Sequence, residues 1–135
     1  MTTPAQSVEQ DVLGAAQALM GAFAEGRVDA YFACFSEDAT FLFHTTPERL
    51  GSRAAYRELW ARWEREDGFA IVSCTSTAGH ADVLGDDAAV FTHDVATRVR
   101  THDGEADLRE RETIVFARRD GRWLAVHEHL SPAPA

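Results

Sequence analysis

A chain of 135 residues with 45 % hydrophobic content suits one domain with a single core and is too apolar for a disordered segment. The formal net charge is −9, and arginines alternate with acids as in Arg109-Glu110-Arg111-Glu112. That excludes the basic stripe nucleic acid binding needs and disfavours an anionic membrane surface. Met1-Thr2-Thr3-Pro4-Ala5-Gln6 lacks the basic and apolar runs of a signal peptide, and no stretch is long and apolar enough to span a bilayer. Cys34 and Cys74 lie in apolar contexts outside any C-x-x-C motif and read as free thiols of a reducing, cytoplasmic location.

Ser7 and Gln10 have capping-box spacing and predict the start of a first helix, with residues 1–6 frayed. Val12, Leu13, Ala16, Leu19, Met20 and Phe23 follow at helical spacing, and Gly26 is its stop. A short second helix carries Ala30, Tyr31, Cys34 and Phe35 and is expected to end near Ser36-Glu37-Asp38. Ala39 to Thr45 reads as a strand, broken by Thr46-Pro47. Ser52 is the expected N-cap of a third helix to about Glu66, whose stripe is Tyr56, Leu59, Trp60 and Trp63; Asp67-Gly68 closes it. Four strands remain: Phe69 to about Thr77, Ala88 to about Thr101, Ala106 to Arg118, and Arg122 to Leu130. His102-Asp103-Gly104 and Arg119-Asp120-Gly121 separate the last three as hairpin turns, and residues 131–135 are expected to fray. Helices followed by antiparallel strands give an α+β class over a single domain, residues 1–135, with helices on one face of a curved sheet.

Two segments carry a family resemblance. Gly26-Arg27-Val28-Asp29-Ala30-Tyr31-Phe32 leading to Ser36-Glu37-Asp38-Ala39-Thr40-Phe41 resembles the helix-two-to-strand-one signature of SnoaL-like proteins, of the nuclear transport factor 2-like superfamily with its ketosteroid isomerase-like fold. Arg118 to Ser131, with Glu112-Thr113 before it, resembles their closing hairpin and is similar to the end of the calcium/calmodulin-dependent kinase association domain. The resemblance implies a cone-shaped curved antiparallel sheet wrapped around N-terminal helices, a pocket between helices and sheet, and dimers or larger rings. It implies no single activity, since the superfamily spans isomerases, cyclases, dehydratases, hydrolases and assembly domains. The pocket arginines of the association-domain family correspond to positions held here by Ile114 and Leu130.

Strand alternation assigns faces. Leu108, Glu110, Glu112, Ile114 and Phe116 share one side of their strand, and Leu124, Val126, Glu128 and Leu130 share one side of the last. A three-residue loop at Arg119-Asp120-Gly121 pairs Phe116 with Leu124 and sets Glu112 opposite Glu128, matching the apolar faces better than a two-residue loop. On the preceding strand Ala89, Phe91, His93, Val95 and Val99 form the apolar face. The expected site is therefore an apolar cavity lined by Tyr56 or Trp60, Trp63, Phe91, Ile114 and Phe116, rimmed by His44, and containing Glu112, Glu128 and His93 as candidate acid/base groups. Two facing carboxylates in an apolar site do not both ionise easily, so one is expected to titrate near neutrality and to serve cofactor-free proton abstraction beside a carbonyl. The structural alternative is that both pair with arginines such as Arg53 or Arg98, in a non-catalytic ligand-binding or assembly module.

Trp123, His127 and His129 fall on the opposite face and are expected in a homodimer interface. His127-x-His129 sets two imidazoles about 7 Å apart along a strand, half of a metal site, but with no evident third ligand no metal is assigned. No cofactor is expected either, since no glycine-rich phosphate loop or nucleophile elbow is present. The expected partners are a small apolar molecule and a second copy of the chain.

Overall fold

The computed structural model describes residues 3–134. Its elements, in chain order, are α1 (Pro4–Ala24), α2 (Val28–Ala33), β1 (Phe35–Phe43), α3 (Arg53–Asp67), β2 (Ala70–Val83), β3 (Ala88–Thr101), β4 (Gly104–Arg119) and β5 (Arg122–Pro132). The strands form one curved, open sheet in the order β1-β5-β4-β3-β2, with β1 parallel to β5 and every other pairing antiparallel. The class is α+β, with α1 packed against β2 and α3 against β1.

α1 begins earlier than the Ser7/Gln10 spacing predicts. Thr3 accepts from the Gln6 amide and the Gln6 side chain accepts from the Thr3 amide, a complete capping box. Pro4 follows at the first helical position, where its missing N–H costs nothing. The added turn brings Val8 into a buried stripe with Val12, Ala16, Leu19 and Ala22, while Leu13 points outward. At the other end, Ser131 and Pro132 are in strand rather than frayed.

α2 stops at Ala33, short of the expected Ser36-Glu37-Asp38, because the chain joins the sheet at once. The Cys34 carbonyl accepts from the Ala125 amide and Phe35 pairs with Ala125. The polar Ser36-Glu37-Asp38 segment is an irregularity inside β1 rather than a helix end. α3 follows the sequence closely: Ser52 accepts from the Ala55 amide and Gly68 ends the helix at φ 65. β2 runs six residues past Thr77, through a register shift between Thr77 and His80 that contains Ala78 at φ 56 and Gly79.

The closing hairpin differs most. Asp120 and Gly121 have φ 52 and 76, and Arg119 pairs with Arg122, so the loop is the two-residue turn with both central residues left-handed. Phe116 then pairs with Ala125 rather than Leu124. The register shifts between Val115 and Phe116, so that Val126 is an extra residue, and beyond it Ile114 faces Glu128 and Glu112 faces Leu130. Glu112 and Glu128 are thus diagonal neighbours, not a directly opposed pair. Trp123 shares the inner face with Ala125 and packs against the core. It is therefore not on the His127/His129 face, contrary to the alternation read from sequence.

Candidate functional site

The inner face of the sheet and the three helices enclose an aromatic core built from Tyr31 and Phe32 of α2, Phe35, Phe41 and Phe43 of β1, and Tyr56 and Trp60 of α3. At the end away from the β4–β5 hairpin the core opens into a cavity of about 290 Å³. Its apolar wall includes Phe23, Phe43, Trp60, Trp63, Phe69 and Val99. That composition and size suit a small, mostly apolar guest held by a few polar groups. Those groups include Glu110 and Glu112 of β4, Glu128 of β5, Asp67 at the end of α3, Tyr31 and Tyr56, beside Thr45, Thr97 and Thr101.

The local sequence explains why acids sit there. Glu110 and Glu112 continue the alternation of Ile114 and Phe116, so they point inward although charged. Each has an imidazole behind it. His44 Nε2 lies 2.5 Å from Glu110 Oε2, and His93 Nε2 lies 2.6 Å from Glu112 Oε1. His93 is completely buried and its Nδ1 is 2.5 Å from Ser76 Oγ on the neighbouring strand. Glu128 differs: it is 1 % exposed, and its Oε2 has no hydrogen-bond partner among the described residues. Burial, then the charge of Glu112 and a side-chain hydrogen bond with it, then the charge of Glu110, hold its carboxyl well above the ordinary carboxylate range, with the Tyr31 hydroxyl acting in the opposite direction. Tyr31 and Tyr56 join hydroxyl to hydroxyl at 2.9 Å, and burial followed by the nearby Glu128 raises both phenols well above their usual value. Trp60 Nε1 is a second buried wall atom without a partner.

Of the residues expected at the cavity, Tyr56, Trp60, Trp63, Glu112 and Glu128 line it. Phe91, Ile114 and Phe116 do not: they lie further along β3 and β4 toward the hairpin, in closed core. His44 and His93 stand one shell behind the wall, each on a glutamate. Neither Glu112 nor Glu128 pairs with Arg53 or Arg98. Arg53 donates to the Phe35 carbonyl and lies near Glu37, and Arg98 binds Glu105 and Asp107. On the outer face His127 Nδ1 is 2.7 Å from Thr40 Oγ1, and His129 stands opposite Leu42. Among the described residues no group of three or more His, Cys, Asp or Glu side chains is arranged to hold a metal ion, and no helix is long and apolar enough to cross a membrane. Several wall residues escaped sequence reasoning, among them Phe23, Phe43, Asp67, Phe69, Glu110 and Tyr31. Glu110 shares the face of Glu112 and was readable from the same alternation, whereas the Tyr31–Tyr56 pair joins helices 25 residues apart and left no local signal.

Comparison with known proteins agrees with this architecture. A 128-residue match at 27 % identity to calcium/calmodulin-dependent protein kinase type II of Caenorhabditis briggsae covers 94 % of this chain but only 24 % of the kinase, so the chain spans about a quarter of that relative. Among solved structures, a putative calcium/calmodulin-dependent protein kinase II association domain from Xanthomonas campestris superposes with a TM-score of 0.75 at 22 % identity, covering 91 % of this chain and 86 % of that one. An NTF2-like protein of unknown function in nutrient uptake from Rhodospirillum rubrum gives a TM-score of 0.78 at 17 % identity, over 92 % of this chain and 99 % of that one. At these identities the structural matches speak for the fold alone. Residues 12–135 match the SnoaL-like domain, and the chain belongs to that family.

Proposed function

We propose that the protein is a small-molecule pocket protein that performs cofactor-free acid/base chemistry, with Glu128 as the proton-transferring group. The observation that carries this reading is the Glu128 carboxyl itself: sealed from bulk water, on the wall of an apolar cavity, with one oxygen free of partners. A carboxyl whose affinity for its proton is raised well above the ordinary carboxylate range by burial is the kind of group that serves as a general acid or base. Glu112 and Glu110 are positioning residues in this reading. They stand beside Glu128, and their imidazole partners fix their orientation. An apolar carbonyl compound is the substrate class that suits a carboxyl base in such a wall.

The test is hydrogen–deuterium exchange at the carbon beside the carbonyl of 2-tetralone, followed by proton NMR in heavy water. The expected result is protein-dependent exchange that falls by about a hundredfold or more in Glu128→Gln. Exchange at the same rate in Glu128→Gln defeats the catalytic assignment.

A second reading rests on a different observation. The helices all pack on the inner face, and the outer face carries Leu42, Val115, Leu124, Val126, His127 and His129 without a covering element among the described residues. We propose this face as a homodimer interface of a cytoplasmic protein, which association-domain relatives support. Pocket and interface lie on opposite faces of the sheet, so the two readings are compatible.

A further inference from the structure

The charge of the cavity wall restricts its guest. Among the described residues, every side chain on that wall able to carry charge near neutral pH is acidic: Asp67, Glu110, Glu112 and Glu128. No arginine, lysine or histidine lines it. His44 and His93 approach from behind, but each is engaged by one carboxylate, Glu110 and Glu112 respectively. Glu128 is left with no basic partner, and its Oε2 is buried and unbonded. A carboxylate buried in that state is tolerated only if it is neutralised, either by a proton or by a cation.

The rest of the wall fits the second possibility. Phe23, Tyr31, Phe43, Tyr56, Trp60, Trp63 and Phe69 surround the space, and aromatic faces attract a desolvated ammonium while hiding its apolar body from water. A carboxylate guest meets like charge from β4 and β5 together and finds no counterion. A neutral guest also satisfies the apolar wall, with Glu128 keeping its proton, but forms no ion pair there.

From this geometry we infer that the cavity selects small apolar amines, binding the protonated nitrogen at Glu128 and the hydrocarbon body between the α3 tryptophans and the sheet. The inference rests on the pocket reading proposed above and not on turnover. An ammonium at Glu128 replaces the proton that otherwise sits there, so binding expels one proton while the net charge of the site stays constant. Glu110 and Glu112 from β4, Tyr31 from α2 and Tyr56 from α3 are the titratable groups that face it.

The test is isothermal titration calorimetry of the full chain with three probes of similar shape: 2-phenylethylamine, 2-phenylethanol and 3-phenylpropanoate. The amine is expected to bind at least about tenfold more tightly than the alcohol, and the carboxylate not to bind measurably. In Glu128→Gln the amine's advantage should disappear while the alcohol still binds, which also shows that the variant is folded. If amine and alcohol bind equally, or the carboxylate binds best, the cation inference is overturned while the pocket stands. If none of the three binds, the inference and the pocket reading fall together. A Glu128→Gln variant that keeps the full preference for the amine overturns the role of Glu128 specifically.

Discussion

At the scale of single residues, Glu128 makes a prediction that needs no ligand. Its folded-state proton affinity exceeds that of an unfolded glutamate, which titrates near about 4.3. Between that value and the raised folded value, the folded chain binds more protons than the unfolded chain, so stability falls as pH rises through this window. Glu128→Gln removes this group's contribution and should flatten the urea-unfolding stability profile between pH 5 and 8. The variant should gain on the parent as pH rises. A stability difference between the two proteins that is constant across that range would sink the assignment of Glu128 as the strained group. Glu110, Glu112, Tyr31 and Tyr56 face it from β4, α2 and α3, so their substitution also changes the profile, through Glu128.

At the scale of elements, local chemistry was legible and register was not. Ser52, Gly68 and the Asp-Gly turns act where the sequence places them, because caps and turns depend on a few adjacent residues. β3 occupies the predicted Ala88–Thr101 span because its apolar alternation and flanking turns agree. The hairpin shows the opposite case. The two-residue Asp120-Gly121 turn shifts every β5 side chain by one position relative to a three-residue loop, and the extra residue at Val126 shifts them back. Glu128 and Leu130 therefore point inward as alternation demands, while Trp123 and Leu124 exchange sides. A bulge leaves no mark in hydrophobic periodicity except at the residues it displaces. The start of α1 is an ambiguity between two capping boxes, and only the complete one orders the helix. Thr3→Ala should lower unfolding free energy by about 1 kcal/mol, read by chemical denaturation. Ser7→Ala should stay within about 0.5 kcal/mol of the parent. The reverse ranking would restore the later helix start.

At the scale of the whole molecule, the sheet divides two roles. Its inner face carries the acids and aromatics of the cavity, and its outer face carries the His127/His129 strand beside Leu42 of β1. Inward acids on β4 alternate with outward Arg109 and Arg111, so one strand serves both faces and neither can slip without exposing the other's side chains. The corrected side of Trp123 separates the proposed dimer contact from core packing. Trp123 lies inside, stacked near the Arg118 guanidinium with its Nε1 unbonded, so Trp123→Phe costs no hydrogen bond and should leave the oligomeric state unchanged. His129, exposed and facing Leu42 across the parallel pair, is where a new charge meets the proposed partner. His129→Asp should weaken association by about tenfold or more in sedimentation equilibrium, because a carboxylate at an apolar interface loses solvation without gaining a counterion. A monomer–dimer equilibrium unmoved by His129→Asp but broken by Trp123→Phe would mean that the copies meet through another face. The cavity wall contains no part of His129, so either outcome leaves the proposed pocket intact.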